Sequence, residues 1–78
     1  MSSTYKACRQ LLKKHFLLRL PRQGWKKKFS EDLGFSSLEF VELIVYVEDF
    51  FGIQLSDAEL AEIKTIRQLT DCIDRNMI

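Results

Sequence analysis

Residues 32–52 read DLGFSSLEFVELIVYVEDFFG. The run from Ser37 to Phe51 contains no Gly or Pro, and Gly52 supplies a stop signal. Ser36, followed three residues later by Glu39, has the spacing of a capping box at a helix start. The β-branched stretch VELIVYV alone could form a strand, but Glu39, Glu42 and Asp49 recur on a helical period and decide for a helix over 37–51. On a wheel at about 100° per residue, Glu39, Glu42, Tyr46 and Asp49 share one narrow stripe. Phe40, Leu43, Ile44, Val47, Phe50 and Phe51 fall opposite. Leu38, Val41 and Val45 lie on a flank close to Glu48. The helix thus has a core face, an acidic edge and a partly apolar shoulder. That surface suits docking against basic partners, while the plainer reading, and the usual one for an arbitrary helix, is a solvated polar face.

The neighbouring segments also read as helices. Ser56, Asp57 and Glu59 mark the start of a short helix over about 57–62. Thr65 caps a last helix over about 66–76, with Ile66, Leu69, Thr70, Ile73 and Met77 on one side. Toward the N-terminus, Tyr5, Cys8, Leu11, Leu12, His15, Phe16 and Leu18 recur at helical spacing and predict a helix over 4–18. Ser2, Ser3 or Thr4 can cap it. Pro21 disfavours the α conformation at Leu20, so this helix should stop near Arg19. Residues 20–35 read as a long loop, tolerable if Trp25, Phe29 and Leu33 pin it onto the core. The sum is an all-α four-helix bundle, three helices longer and one short, forming one domain over 1–78.

A chain of 78 residues is one domain, and 46% apolar with 29% charged residues argues for a packed core rather than disorder. No apolar run approaches the ~18–20 residues needed to span a bilayer. The N-terminal MSSTYKACRQ lacks the apolar region of a signal peptide. Cys8 and Cys72 have no paired-motif spacing and read as reduced, buried thiols. These points favour the cytoplasm, and a monomer is expected. The net charge of +1 conceals a split: residues 1–30 carry nine Lys/Arg and no acid, and residues 31–78 carry all eleven acids and three Lys/Arg. Such asymmetry bears on partners rather than on fold.

Trp25–Lys26–Lys27–Lys28–Phe29 pairs cations with aromatics, a composition that can bind phosphate backbones or anionic membranes. The plainer reading is that the lysines balance the acids elsewhere, while Trp25 and Phe29 plug the core. A basic nucleic-acid-binding helical module is a rival reading. No recognition-helix pattern follows the basic run, and the acidic central helix repels phosphate, so no nucleic acid is expected. An enzyme reading is the weakest. The single histidine, His15, has no acid nearby in sequence, and no His/Cys cluster has metal-ligand spacing. Ser37 falls at the first helical position, where a hydroxyl projects beside unpaired backbone N–H groups and the positive end of the helix dipole. A phosphodiester attached there would be stabilised by both. From the residues alone, the reading of Ser36 and Ser37 as capping residues and nothing more stays ahead, since Ser is common at caps.

The segment Asp32–Leu33–Gly34–Phe35–Ser36–Ser37–Leu38–Glu39–Phe40–Val41–Glu42–Leu43 resembles the signature of the acyl carrier protein family. The likeness continues through Glu48, Asp49, Phe51–Gly52–Ile53, the Ser56–Asp57 turn, Ile63 and Ile66, covering roughly 29–74. The resemblance implies a helical bundle of the acyl-carrier type. It implies a non-catalytic carrier serving fatty acid, polyketide or related lipid biosynthesis. By similarity, Ser37 would receive 4′-phosphopantetheine from coenzyme A through a Mg²⁺-dependent transferase, with Ser36 as the helix cap beside it. The arm's thiol would hold an acyl group as a thioester. Glu39, Glu42, Glu48 and Asp49 align with the family's acidic partner-contact residues, and Val41 and Val45 with its apolar ones. The implied partners are the phosphopantetheinyl transferase and acyl-processing enzymes with basic docking patches. Phe29, Leu33, Leu43, Val47, Phe51, Leu55, Leu60, Ile63 and Cys72 align with core positions around a sequestered acyl chain. Three departures point to a specialised member. Ser36 stands where the family usually has Asp, the N-terminal third is basic, and Leu60 replaces a smaller residue. A carrier-like interaction subunit that is never modified is the alternative, and nothing in the sequence except Ser37 itself speaks against it.

Overall fold

Three helices begin at reciprocal capping boxes, and these boxes set the frame of the fold. The computed structural model describes residues 3–77. Its helices are α1 (Ser3–Phe16), α2 (Ser37–Phe51), α3 (Asp57–Glu62) and α4 (Ile66–Asn76), with a 3-10 turn at Gly24–Lys26. Among the described residues there is no β-strand, and the expected all-α bundle of three longer helices and one short is what forms. Ser36, Ser56 and Thr65 each accept a hydrogen bond from the backbone N–H three residues on. Glu39, Glu59 and Gln68 return the favour to the cap's own N–H. Each cap is worth about 0.5–2 kcal/mol. Gly52 ends α2 in the left-handed conformation at φ 67°, where a residue without a Cβ costs least.

α1 packs on both α2 and α4. Tyr5, Cys8 and Leu12 of α1 meet Leu43 and Val47 of α2 and Ile66, Leu69, Cys72 and Ile73 of α4 in one buried cluster. The Thr4 hydroxyl adds a polar tie, donating to Asp74 Oδ1 at 2.5 Å. Both cysteines are free and buried.

The long loop is pinned, as its aromatic residues suggested. Phe29 is buried, while Trp25 and Leu33 are half-buried against the core. Backbone bonds secure it further: Phe29 N–H donates to Lys64 O, and Ile66 N–H to Lys27 O, both at 3.0 Å. This isolated bridge clamps the loop to the α3–α4 turn.

Four expectations need correction. α1 ends at Phe16, two residues short of 18, because Leu17 turns into the left-handed region at φ 54°. Leu18 N–H then reaches back to Leu12 O at 3.2 Å, closing the helix. Ser3 and Thr4 lie inside α1 rather than capping it, and Ser2 falls outside the described residues. Phe50 is 58% exposed. It sits at the margin of the apolar arc in the last turn of α2, its ring edge-on to Phe51. Met77 is 55% exposed, since it lies past the end of α4 and no longer follows that helix's face.

Candidate functional site

Ser37 is the first residue of α2, and its side chain faces solvent. The chain reaches it through a fixed path. Lys28 O accepts from the N–H groups of Asp32 and Leu33, Asp32 Oδ2 accepts from Lys28 N–H, and Phe35 N–H donates to Phe29 O at 2.8 Å. Gly34 sits at φ 69° within this turn. At the helix start, Ser36 Oγ accepts from Glu39 N–H at 3.2 Å, while Ser36 N–H donates to Glu39 Oε1 at 3.0 Å. Ser36 therefore does the capping, which leaves the Ser37 hydroxyl outside the box. The first-turn amides of any helix lack intrahelical acceptors, and their dipoles give this end partial positive charge.

An open groove of about 690 Å³ begins at Ser36 and Ser37 and runs between α2, α3 and the loop. Phe29, Phe35, Phe40, Leu60 and Ile63 supply its apolar wall, and two cations, Lys28 and Lys64, line it together with two acids, Glu31 and Asp57. The Phe29 ring packs against Phe35 at 5.8 Å and Phe40 at 5.2 Å, holding the wall in place. Of the nine residues aligned with positions around a sequestered chain, the structure brings Phe29, Leu60 and Ile63 to this groove. Leu43, Val47, Leu55 and Cys72 are buried in the core instead, while Leu33 and Phe51 are half-buried against it. Phe35 and Ala61 line the groove unanticipated. Their signal was proximity, since one precedes the cap of α2 and the other follows Leu60.

The proposed docking residues divide. Leu38, Val41 and Val45 are all more than half exposed and form the apolar shoulder. Glu42 and Asp49 are exposed. Glu39 and Glu48 are half-buried and already engaged. Glu39 serves the cap, and Glu48 Oε2 accepts from Leu55 N–H at 2.8 Å, fastening the loop after α2. Tyr46, on the acidic stripe, is covered by His15 of α1, whose ring stacks on it at 3.7 Å with planes 8° apart. His15 thus serves packing on the outside of the α1–α2 seam.

No group of three or more His, Cys, Asp or Glu among the described residues is arranged to hold a metal ion. Burial pushes the Cys8 thiol up to about 12, with help from the Asp74 charge. Cys72 is also raised, by burial first and then by Glu59. Glu59 is held down at about 2, chiefly by the Ser56 backbone N–H and then by Asn76, Cys72 and the Ser56 hydroxyl.

Residues 16–73 match the family described as "Phosphopantetheine attachment site". Two solved structures have the same fold. A candidate acyl carrier protein from Mycobacterium tuberculosis superposes at TM-score 0.82 with 24% identity, covering 92% of this chain and 96% of the other. An acyl carrier protein from Thermotoga maritima gives 0.81 with 22% identity, covering 95% and 91%. At such identities the superpositions speak to the fold, and the family rests on the match over 16–73. That domain is where 4′-phosphopantetheine is covalently attached, and the chain belongs to the acyl carrier protein family.

Proposed function

We propose that Ser37 is the attachment point for 4′-phosphopantetheine and that the chain carries acyl groups in fatty acid, polyketide or related lipid biosynthesis. The observation that carries the reading is the exposed Ser37 hydroxyl at the start of α2, at the mouth of an apolar groove. The residues fit the group. The hydroxyl is free of the capping box, the helix start favours a phosphodiester, and the groove offers apolar surface to an arm and its cargo. When bound, the group supplies a terminal thiol on which an acyl chain is held as a thioester. The protein's own residues do the rest: Ser36 and Glu39 fix the direction of Ser37, and Phe29, Phe35 and Phe40 keep one wall of the groove dry. The chain itself performs no chemical step in this reading.

Leu38, Val41 and Val45, flanked by Glu42 and Asp49, form the face offered to partners. These are a phosphopantetheinyl transferase and acyl-processing enzymes with basic docking patches. Glu39 and Glu48 contribute charge while holding their intramolecular bonds. The carrier would work as a cytoplasmic monomer.

Incubation with coenzyme A and a broad-specificity transferase tests the assignment by intact mass. One phosphopantetheine should be added, and Ser37→Ala should abolish the addition. Attachment at Ser36, or no addition with the transferase shown active on another carrier, overturns it.

A further inference from the structure

A second feature of the surface lies apart from the groove at Ser37. Lys6, Arg9 and Lys13 of α1 converge with Arg19 of the following loop on a hollow of about 320 Å³. Gln10 and Leu20 complete its lining, no acidic residue takes part, and it shares no residue with the groove at Ser37. Among the described residues the ion pairs are Lys28–Glu31 and Arg67–Asp71, so none of these four cations is neutralised by a carboxylate. Among the described residues, Lys28 is the one of the nine N-terminal cations in an ion pair, and its partner Glu31 is a neighbour in its own loop.

The hollow is also built. Its two walls are α1 and the loop, and Tyr5 organises both. The Arg9 guanidinium lies over the Tyr5 ring at 5.9 Å, a cation–π placement that limits where it can point. The Tyr5 hydroxyl donates to Pro21 O at 2.8 Å, fixing the loop directly after Arg19 and Leu20. Leu20, which is buried in the core, also borders the hollow. Holding four like charges around one concavity opposes folding unless something anionic offsets them. The core needs none of them, because α1 contributes Tyr5, Cys8, Leu11 and Leu12 to it.

We infer that this hollow binds a clustered phosphate anion, a group carrying two or more phosphate oxyanions within a space of a few hundred Å³. Convergent Arg and Lys donors suit phosphate oxygens, with Arg able to bond in a bidentate fork. The size is at the small end of ligand sites and suits a diphosphate-scale group. The same chemistry could arrive on a soluble metabolite or on a lipid headgroup. The inference does not depend on Ser37.

Two binding experiments on the full chain separate those sources. One titrates inorganic pyrophosphate by calorimetry at about 0.15 M salt. The other sediments phosphatidylcholine vesicles with and without phosphatidic acid. Saturable one-to-one binding of pyrophosphate supports a soluble ligand, and retention on the phosphatidic acid vesicles alone supports a headgroup. In whichever arm binds, Arg9→Gln with Lys13→Gln should weaken binding at least about tenfold, since two charge-assisted contacts are lost. Lys26→Gln with Lys27→Gln removes the same charge outside the hollow and should change affinity by less than about threefold. Equal weakening by the two pairs, or no binding in either arm, overturns the inference. Amide NMR shifts of the unaltered protein give a readout that needs no variant. Perturbation centred on residues 6–13 and 19–20 supports the site, and perturbation centred on 36–39 refutes it.

Discussion

The side-chain amide of Asn76 donates to Glu59 Oε2 at 2.8 Å, and through that contact the short helix α3 is tied to the end of α4. The same carboxylate accepts from the Cys72 thiol at 3.3 Å, while its other oxygen accepts from Ser56 N–H and the Ser56 hydroxyl, both at 3.0 Å. α3 has six residues and buries none of them fully. A helix so short does not persist alone in water. Glu59 therefore does two jobs, as half of the capping box and as the strut to α4.

A pH dependence follows from that contact. The folded state holds Glu59 at about 2, below the ordinary value of 4.5. A depressed carboxyl contributes stability that is complete above its unfolded value and is lost as pH falls through its folded value. The contribution should fade between about pH 4.5 and pH 2. Glu59→Gln should melt at lower urea than the unaltered protein at pH 7, and the gap should narrow steadily toward pH 2. A gap of constant size across that range would show that the charge is irrelevant. Since Glu59 and its contacts lie at α3, local opening should show first as faster amide exchange over residues 57–62.

The residues of α2, α3 and α4 were legible in the sequence almost to the position, because a Ser or Thr cap announces each start and Gly52 ends the longest. The end of α1 was not. Its apolar period continues through Leu18, but the backbone turns at Leu17, where no Gly or Asn signals a left-handed residue. The bridge between Lys28 and Thr65 was equally hidden, because its bonds run between backbone groups that every side chain leaves unchanged. The exposure of Ser37 could be read from its place just after the cap. The engagement of Glu48 with Leu55 N–H could not, since it depends on how the chain folds back after Gly52.

Gly24 marks a place where space, not backbone conformation, demands glycine. A Cβ there would lie 2.7 Å from Tyr5 Oη, 3.2 Å from Leu20 Cβ and 3.3 Å from Pro21 Cδ. Gly24→Ala should destabilise the fold by about 1–3 kcal/mol through overpacking. Tyr5→Phe removes the hydroxyl that the new methyl meets, and costs about 1 kcal/mol for the lost bond to Pro21 O. The two changes should therefore be non-additive, the double variant being more stable than the sum of the singles implies. Denaturant melts of all four proteins measure the coupling, and strict additivity would refute the contact.

Both thiols should be silent in the native state. Cys8 and Cys72 are fully buried, and burial raises both above the ordinary thiol range. The thiolate is the reactive species, so an aromatic disulfide reagent at pH 8 should label neither until the chain opens. In strong denaturant two thiols should react at once. Fast labelling of either one in native buffer would contradict its burial.

Leu17 offers the opposite kind of change, a gain. It holds φ 54° at the end of α1 and is 89% exposed, so its side chain contributes little packing while its Cβ crowds the backbone. A left-handed non-glycine residue costs roughly 1–2 kcal/mol. Leu17→Gly removes that strain, and the greater freedom of glycine in the unfolded chain returns part of it. The net should be a stabilisation of about 0.5–1 kcal/mol, which in a domain this small raises Tm by roughly 2–8 °C. The closing bond from Leu18 N–H to Leu12 O should survive, and amide exchange at Leu18 should slow. A lower Tm for the glycine variant would mean that the exposed leucine makes contacts in solution that outweigh the backbone strain.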